Sequence, residues 1–435
     1  MKNRDDSAGF FVAVRRFKAE NSKIGSFLCV EKSLYPDEYS ICAGGVNEAG
    51  FAIANTNAYV GSLAKELLSI DVPLMVKALG NCETVACFEQ LLKKSYENPV
   101  DNMTSSNFVV MDAQGGAVHY EAFADVGQAL ELIQHDVNTT ELPFSHKTNY
   151  TSLHEIYDST SQARDTRLGV LLTDLYHKNE LTPKSMMQDV LNDVCDDKDG
   201  EQDLANFNTK YCISRAYTRA SFVIEGVKPG EDPRYSTMWV NLGEPSIGVY
   251  VPVYPAAHYV SEAARANNLG SAPLNIAILN KKLEDFYDNL GSINIYFESF
   301  PNKDMYMNKV NLYKWQDTVT FPIEDKLVDS DGQIKESLRK YKAKNIEETL
   351  KEFSESSSLW AYQVYSGNPD LPEDSDNEAL ELLRKAGVVN AATTLGQIYT
   401  DNTTNQLVNV LDNISQSAIS SILPWLEETF KTAGN

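Results

Sequence analysis

The chain has 435 residues, 43% of them hydrophobic, so it is long enough for one large domain or two and apolar enough to bury a core. Its formal net charge of −23 argues against nucleic acid and anionic membranes as partners, because binding phosphates requires clustered cations. The sequence predicts no membrane span, since none of its apolar runs approaches the roughly 18 residues that a span needs. It begins MKNRDDS, without an apolar segment, and so predicts no signal peptide as given.

The cysteines and histidines give no metal signature. No Cys-x-x-Cys occurs and no histidine pair has metal-like spacing, so we expect no zinc site, no other metal and no cofactor. Cys29 and Cys42 lie in apolar strand-like runs, which predicts small core residues. The even number of cysteines permits disulfides, but at this length it does not require them. The six residues are Cys29, Cys42, Cys82, Cys87, Cys195 and Cys212.

The first third of the chain predicts a sheet, because short runs alternate between apolar and polar residues. We predict strands over residues 8–16, 26–31, 39–43, 51–57, 106–112, 117–122 and 129–133. The segment 37–59 carries a hairpin in which Gly44-Gly45 and Asn47-Glu48 form the break, since glycine allows positive φ and close backbone approach. Further strands are predicted over 217–225, 236–242 and 249–254.

Helical spacing of apolar residues predicts the remaining elements. We predict helices over residues 73–79, 83–96, 163–178, 184–194, 281–290, 334–353, 378–386 and 406–430. Asn81 is a possible cap for the second of these, and Thr182-Pro183 gives a good start for the fourth. Residues 366–377 predict a linker or surface loop. Antiparallel hairpins segregated from helices indicate an α+β layered fold.

Four polar residues are candidate site residues, although each also has an ordinary structural interpretation. Asp5 precedes the first strand as a possible turn residue, and Arg219 opens an apolar strand as a possible surface cation. Asn57 ends the hairpin strand and Asn149 precedes a helical region, and both are common loop formers. A cluster of such side chains facing a cleft would donate hydrogen bonds to a negative group.

The order and spacing of these residues resemble a known family. Residues 2–5 read KNRD, 45–52 read GVNEAGFA on a strand that ends at Asn57, 148–149 read TN, and 218–220 read TRA. Over about residues 1–250 the chain resembles the cholylglycine-hydrolase-like branch of the N-terminal-nucleophile hydrolases, near the penicillin acyltransferase group. The match over residues 45–57 is fairly specific. The TN and TRA motifs are weak alone and support the resemblance only through their order along the chain.

The resemblance implies a four-layer αββα sandwich of antiparallel sheets over residues 1–260, followed by a mostly helical extension over 261–435. It implies acyl transfer from a linear amide to a chain-terminal cysteine, whose α-amine is the general base. Asp5 would hold that amine, and Arg219 would stabilise the thiolate. Asn57 and Asn149 would hold the amine and donate to the tetrahedral oxyanion. The implied partner is a small-molecule amide or acyl substrate.

One departure from the family pattern concerns the nucleophile. In the family the cysteine precedes the segment that matches residues 2–5, so the chain as given is expected to lack the nucleophile and its strand, to be inactive, and to have an unpaired sheet edge there. Cys29 and Cys42 follow Asp5 and do not replace that cysteine. The parent protein would be secreted or periplasmic if a leader precedes Met1, and cytoplasmic as given. The alternative is a non-catalytic binding or scaffold protein that retains the fold.

Overall fold

The computed structural model describes residues 1–5, 11–33, 41–58, 70–97, 104–125, 128–153, 159–195, 209–215, 218–261, 264, 287–288, 306–307, 309–340 and 344–366. These residues form two antiparallel sheets with helices on both sides, which confirms the predicted α+β class. None of the helices that could be searched is both long and apolar enough to cross a membrane.

The larger sheet contains seven strands that pair in chain order, each antiparallel to the next. The strands are β2 (Phe11–Lys18), β3 (Ser26–Ser33), β4 (Ile41–Asn47), β5 (Ala52–Asn57), β6 (Thr104–Met111), β7 (Ala117–Ala124) and β8 (Glu131–Asp136). All seven strands predicted in this part of the sequence are present, with ends that differ by a few residues.

The predicted hairpin break was wrong in one respect, because Gly44 and Gly45 lie inside β4 and the turn comes after it. The glycines are required by packing. A Cβ on Gly45 would lie 2.0 Å from the carbonyl oxygen of Leu28 on β3, and one on Gly44 would lie 2.7 Å from the ring of Phe222 in the other sheet. At this point β3, β4 and the second sheet therefore approach too closely for any side chain.

Asn47 closes the turn that follows β4. Its Oδ1 accepts hydrogen bonds from the N–H groups of Ala49 (3.1 Å) and Phe51 (3.0 Å), and its Nδ2 donates to the carbonyls of Leu79 and Cys82. A single buried amide thus fixes the hairpin and joins it to the neighbouring helix.

The smaller sheet has the strand order β1-β9-β10-β11 and is antiparallel where its register is defined. Its strands are β1 (Lys2–Asp5), β9 (Thr218–Glu225), β10 (Thr237–Asn241) and β11 (Val251–Val253). Within the described ranges β1 pairs with β9 alone, so it lies at an edge of this sheet. Whether a further strand of the parent protein pairs there stays a prediction. A separate pair joins β12 (Tyr287–Asp288) to β13 (Tyr306–Met307).

Seven helices accompany the sheets in the described residues. They are α1 (Asp71–Asn81), α2 (Val85–Ser95), α3 (Ser159–Lys178), α4 (Pro183–Ser185, continued by a π-helix over Met186–Leu191), α5 (Lys309–Trp315, continued by a π-helix over Gln316–Thr320), α6 (Phe321–Lys340) and α7 (Ile346–Ser366). Single 3₁₀ turns lie at Thr209–Tyr211, Pro233–Tyr235 and Pro255–Ala257.

Several helix predictions require correction. The cap of α2 is Thr84, whose side chain accepts from the N–H of Cys87, rather than Asn81. The single helix predicted over 334–353 is two helices, α6 and α7, and the part of 281–290 that is described forms β12. Thr182 caps α4 as predicted. The helices predicted over 378–386 and 406–430 lie outside the described residues, as does most of the loop over 366–377.

Two hydrophobic clusters define four layers. One cluster packs α1 and α2 on the outer face of the seven-stranded sheet, for example through Phe88 against Phe108. The other joins the two sheets to each other and the smaller sheet to the C-terminal helices, and it includes Leu28, Phe222 and Ile323. The arrangement is the predicted αββα sandwich with further helices following. The domain boundary at residue 260 stays a prediction.

The structure joins four of the six cysteines in disulfides. Cys29–Cys42 links β3 to β4, and Cys82–Cys87 lies at the connection between α1 and α2. Cys29 and Cys42 are buried in the core as expected, but as a bonded pair. Cys195 and Cys212 are not in disulfides.

Candidate functional site

Asp5 lies at the end of β1, opposite Thr218 on β9, at a β-bulge between Arg4 and Asp5. Its Oδ2 accepts hydrogen bonds from Arg215, from Nε at 2.9 Å and from an Nη atom, and its Oδ1 accepts from Thr218 Oγ1 at 2.6 Å. The bulge, Arg215 and Thr218 therefore hold this carboxylate in one position.

The environment of Asp5 favours its ionised form. Burial alone would raise the pKa of the carboxyl, but the guanidiniums of Arg215 and Arg164 and the hydrogen bonds from Thr218 and Arg215 outweigh burial and lower the pKa to about 2. The Arg215 side chain is 8% exposed and that of Asp5 is 18% exposed. Asp5 is thus a fixed anion throughout the physiological pH range.

Both the nitrogen and the oxygen of the Asn149 side-chain amide make hydrogen bonds. Its Nδ2 donates to the backbone carbonyl of Asn57 at 3.0 Å, and its Oδ1 accepts from Arg164 at 3.1 Å. Arg164 is a buried residue of α3 that also contacts Ser161. Because Arg164 also acts electrostatically on Asp5, it connects the Asn149 segment to β1.

Asn57 contributes its backbone carbonyl to this contact. It pairs with Ser106 in the register of β5 and β6, two positions from the pair of Asn55 with buried Phe108. Strand alternation therefore places its side chain on the same sheet face as Phe108, the face that α1 and α2 cover. Thr56 lies on the other face, where its hydroxyl donates to the carbonyl of Thr148.

Polar contacts on that other face attach the segment around Asn149 to the sheet. Thr56 Oγ1 donates to the carbonyl of Thr148 at 2.8 Å, and Asn107 Nδ2 donates to the carbonyls of Thr148 (3.1 Å) and Tyr150 (2.8 Å). Asn107 is buried and pairs with Thr56 in the sheet. The backbone on either side of Asn149 is thus fixed by two neighbouring strands.

A buried carboxylate further along β7 strengthens the same attachment. Glu121 accepts from Thr151 Oγ1 at 2.9 Å and from the N–H of Ser152, and its Oε1 lies 3.4 Å from Lys147 Nζ and 2.9 Å from His135 Nε2. Burial opposes its ionisation, but the hydrogen bonds from Ser152 and His135 and the charge of Lys147 lower the pKa to about 2. Glu121 therefore anchors the residues that follow Asn149.

Arg219 is 2% exposed and lies on β9 directly after Thr218, the residue that holds Asp5 Oδ1. It occupies the extra position of the bulge, since Arg4 pairs with Ala220 and Asp5 pairs with Thr218. The structure thus joins Asn149 to the carbonyl of Asn57 and to Arg164, which acts electrostatically on Asp5, and it places Arg219 next to Thr218 on β9.

Sequence reasoning missed Arg164 and Arg215. Arg215 lies four residues before Arg219 in SRAYTR, so the motif itself contained a second arginine at this strand entrance. Arg164 lies in a helix with several charged residues, and nothing in its spacing separates it from a surface cation. Among the described residues, no group of three or more His, Cys, Asp or Glu is arranged to hold a metal ion.

No protein-family profile matches the chain, and no curated protein matches it. Solved structures do show similarity. A variant of conjugated bile acid hydrolase from Clostridium perfringens is 13% identical, with a TM-score of 0.35 over 62% of this chain and 90% of that chain. Penicillin V acylase from Agrobacterium tumefaciens is 15% identical, with a TM-score of 0.32 over 58% of this chain and 80% of that chain.

The N-acylethanolamine-hydrolyzing acid amidase orthologue of Caenorhabditis elegans is 12% identical, with a TM-score of 0.26 over 37% of this chain and 67% of that chain. Identities and TM-scores this low carry no inference about activity.

Proposed function

We propose that this chain forms the body of a cysteine-nucleophile amidohydrolase or acyltransferase that acts on linear amide bonds. The observation that supports the proposal is that Asn149 is hydrogen-bonded to Arg164 and to the carbonyl of Asn57, and that Arg164 acts electrostatically on Asp5, although these residues lie far apart in the sequence. These residues come from both sheets and from α3, and Asn57 contributes its backbone carbonyl alone, because its side chain lies on the face that α1 and α2 cover.

In the proposed reaction, the thiolate of an N-terminal cysteine attacks the amide carbonyl and the amine leaves with a proton from the cysteine's own α-ammonium group. Asp5 is suited to orient that amine, because it is ionised and held by Arg215 and Thr218. Asn149 already donates one N–H to Asn57, which leaves its second N–H to donate to the oxyanion. Arg219 would stabilise the thiolate.

The test uses protein produced from a gene that includes the codons upstream of Met1. Mass spectrometry of the purified protein identifies its N-terminal residue, and release of amine from a panel of linear N-acyl amides measures turnover before and after iodoacetamide. We expect an N-terminal cysteine and hydrolysis that alkylation abolishes.

The two cysteines outside the disulfides require a matched control. Cys195 and Cys212 are not in disulfides, so alkylation could also act through them. The Cys195→Ser/Cys212→Ser variant removes both thiols and should show the same sensitivity to iodoacetamide. Hydrolysis that resists alkylation in this variant would contradict a cysteine nucleophile. An upstream stop codon together with no turnover would instead support the binding or scaffold protein.

A further inference from the structure

The two disulfides differ in how far solvent reaches the residues that form them. Cys29 and Cys42 are 0% and 1% exposed and lie in the hydrophobic cluster that α1 and α2 cover. Cys82 is also 1% exposed, but its partner Cys87 is only partly buried. A thiol attacks a disulfide at a sulfur that it can reach. The bond between α1 and α2 therefore has one accessible end, and the bond between β3 and β4 has none.

Other contacts hold α2 in place when its disulfide is open. Thr84 caps the first turn of α2, and Asp112 accepts from the N–H of Val85 at 2.8 Å. Phe88 is fully buried and packs edge-on against Phe108 of β6. Opening this disulfide therefore requires local movement alone, whereas the disulfide between β3 and β4 is reached only when the sheet and α1 separate.

The carbonyl of Cys82 takes part in the turn between β4 and β5. Asn47 Nδ2 donates to this carbonyl at 2.8 Å and to that of Leu79 at 3.0 Å. The Oδ1 atom of the same side chain accepts from the N–H groups of Ala49 and Phe51. A single amide thus joins the end of α1 to the turn, and a backbone change at Cys82 alters the position of that amide.

We propose that Cys82–Cys87 is a site of thiol–disulfide exchange in the folded protein, and that its reduction loosens the turn between β4 and β5. The reagent is a small thiol, because only part of Cys87 is exposed, and Cys87 is the residue that it attacks. The disulfide between Cys29 and Cys42 has no such role, since both residues are buried. The exchange does not depend on the proposed amide hydrolysis.

The exchange balances with the small thiol as the reductant. A thiolate attacks Sγ of Cys87, a new S–S bond forms, and the electron pair of the broken bond leaves on Sγ of Cys82, which takes up a proton from water. A second thiolate then attacks the sulfur of the bound small thiol, and Cys87 leaves as a thiolate and is protonated. Two small thiols are oxidised to one disulfide, and the protein disulfide is reduced to two thiols.

The first test measures how fast each disulfide is reduced in the folded, full-length oxidised chain. The protein is treated with 2-mercaptoethanol at pH 8 without denaturant, and samples are quenched with acid and alkylated. Mass spectrometry then maps each cysteine over time. We expect Cys82 and Cys87 to be alkylated at least about tenfold faster than Cys29 and Cys42, because only their bond has an accessible end. In urea above the unfolding midpoint, the two rates should approach each other.

Two single substitutions identify the residue that is attacked. In Cys82→Ser the remaining thiol of Cys87 is at the accessible position, and it should form a mixed disulfide with cystamine. In Cys87→Ser the remaining thiol of Cys82 is buried, and it should react at least about tenfold more slowly. Both variants lack the same disulfide, so they are matched controls for each other, and circular dichroism confirms that each is folded.

Hydrogen exchange tests the effect on the turn. In protein kept reduced at this bond by 2-mercaptoethanol, the N–H groups of Ala49 and Phe51 should exchange about threefold faster or more than in the oxidised protein. The N–H groups that pair β6 with β7 should not change. The Cys82→Ser/Cys87→Ser variant should show the same increase without any reagent, which assigns the change to the missing bond.

Reduction of both disulfides at one rate in the folded protein would overturn the proposal. Faster modification of Cys82 than of Cys87 in the single variants would also overturn it, as would unchanged exchange at Ala49 and Phe51 in the reduced protein. The expected results in a protein without amidase activity would leave this inference standing and contradict the proposed function alone.

Discussion

Asp5 illustrates how a single residue can depend on a partner far along the chain. Its carboxylate receives two hydrogen bonds from Arg215 and one from Thr218, and the guanidinium lies in a position that solvent barely reaches. A buried carboxylate that loses its cation keeps the cost of desolvation without the compensating attraction. The pair is therefore expected to be strongly coupled.

A double-mutant cycle measures this coupling. We expect Arg215→Met to lower the free energy of unfolding at pH 7 by about 3 kcal/mol, because it leaves Asp5 buried without its main cation. Adding Asp5→Asn should recover part of that loss, since the uncompensated charge is then gone. Urea unfolding of the parent, the two single variants and the double variant gives the coupling energy, and strictly additive changes would show that the two residues do not interact.

The burial of Glu324 on α6 should make the free energy of unfolding depend on pH. It is fully buried, and its Oε1 accepts from the N–H of Tyr250 at 3.1 Å. Burial raises the pKa from 4.5 to about 8, despite the opposing hydrogen bonds from Tyr250 and Gln188. Between these two pH values the unfolded chain has released the proton and the folded chain retains it, so stability falls as pH rises, by at most about 1.4 kcal/mol per pH unit.

We therefore expect Glu324→Gln to be more stable than the parent at pH 8, with a gain that shrinks toward pH 5, because glutamine keeps an uncharged acceptor and donor at this position. Glu336→Gln is the matched control, since it changes an exposed glutamate on the same helix. Urea unfolding at pH 5, 6, 7 and 8 gives the two pH profiles. A Glu324→Gln profile parallel to that of the parent would contradict the assignment.

At the residue scale, the sequence indicated part of the candidate site. Asp5 and Asn149 could be selected because each lies in a short motif whose order matches a known pattern. Arg164 could not, because its role depends on how α3 packs against the segment around Asn149, which no local pattern encodes. The face on which Asn57 lies depends on strand register, and a shift of one residue reverses it.

At the scale of single elements, strand β4 shows how tertiary contacts restrict which residues a strand can contain. Its two glycines are fixed by contacts with β3 and with the opposite sheet rather than by a turn. Gly45→Ala should lower the free energy of unfolding by at least about 2 kcal/mol, because the new Cβ would overlap the carbonyl oxygen of Leu28 and backbone cannot yield as a side chain does.

Gly332→Ala is the matched control for that substitution. Gly332 lies inside α6 with nothing within 4 Å of its added Cβ, so alanine should raise the free energy of unfolding by about 0.5–1 kcal/mol through helix propensity. Thermal and urea unfolding of both variants check the sign of each change. Similar stabilities for the two variants would contradict the packing argument for Gly45.

Elements with strong local periodicity were predictable, and those set by tertiary contacts were not. The seven strands between residues 11 and 136 and the helices α1 to α3 follow from alternation or helical spacing. The division of 334–353 into α6 and α7 was missed, because apolar spacing continues on both sides of the break. The cap at Thr84 was missed in favour of Asn81, although both residue types are common caps.

At the scale of the whole molecule, the two disulfides lie on one side of the fold. Cys29, Cys42 and Cys82 all belong to the cluster between α1, α2 and the outer face of the seven-stranded sheet. In the described residues, the C-terminal helices on the opposite side are held by apolar packing and polar contacts, with no cross-link. Sequence alone left the pairing of the cysteines open, because it depends on which strands become neighbours.

The disulfide that closes the longer loop should contribute more to the free energy of unfolding. Cys29 and Cys42 are 13 residues apart and Cys82 and Cys87 are 5 apart, so replacing each pair by alanine should cost about 3 and about 2 kcal/mol on loop-entropy grounds. Urea unfolding of the two paired variants, with and without reductant, measures both effects. A parent protein whose unfolding midpoint is unchanged by reductant would contradict the presence of these bonds.

The placement of these sulfur bonds has a practical consequence for anyone who wants to prepare the protein. A bacterial cytosol keeps thiols reduced. Protein made there would fold its helical C-terminal side normally, but its α1–α2 side would lack the two disulfide bonds. Export to the periplasm of the host, or refolding in a glutathione buffer, would give the oxidised form. Batches from the two routes should differ in resistance to proteases at the α1–α2 side, even though their amino-acid sequences are the same.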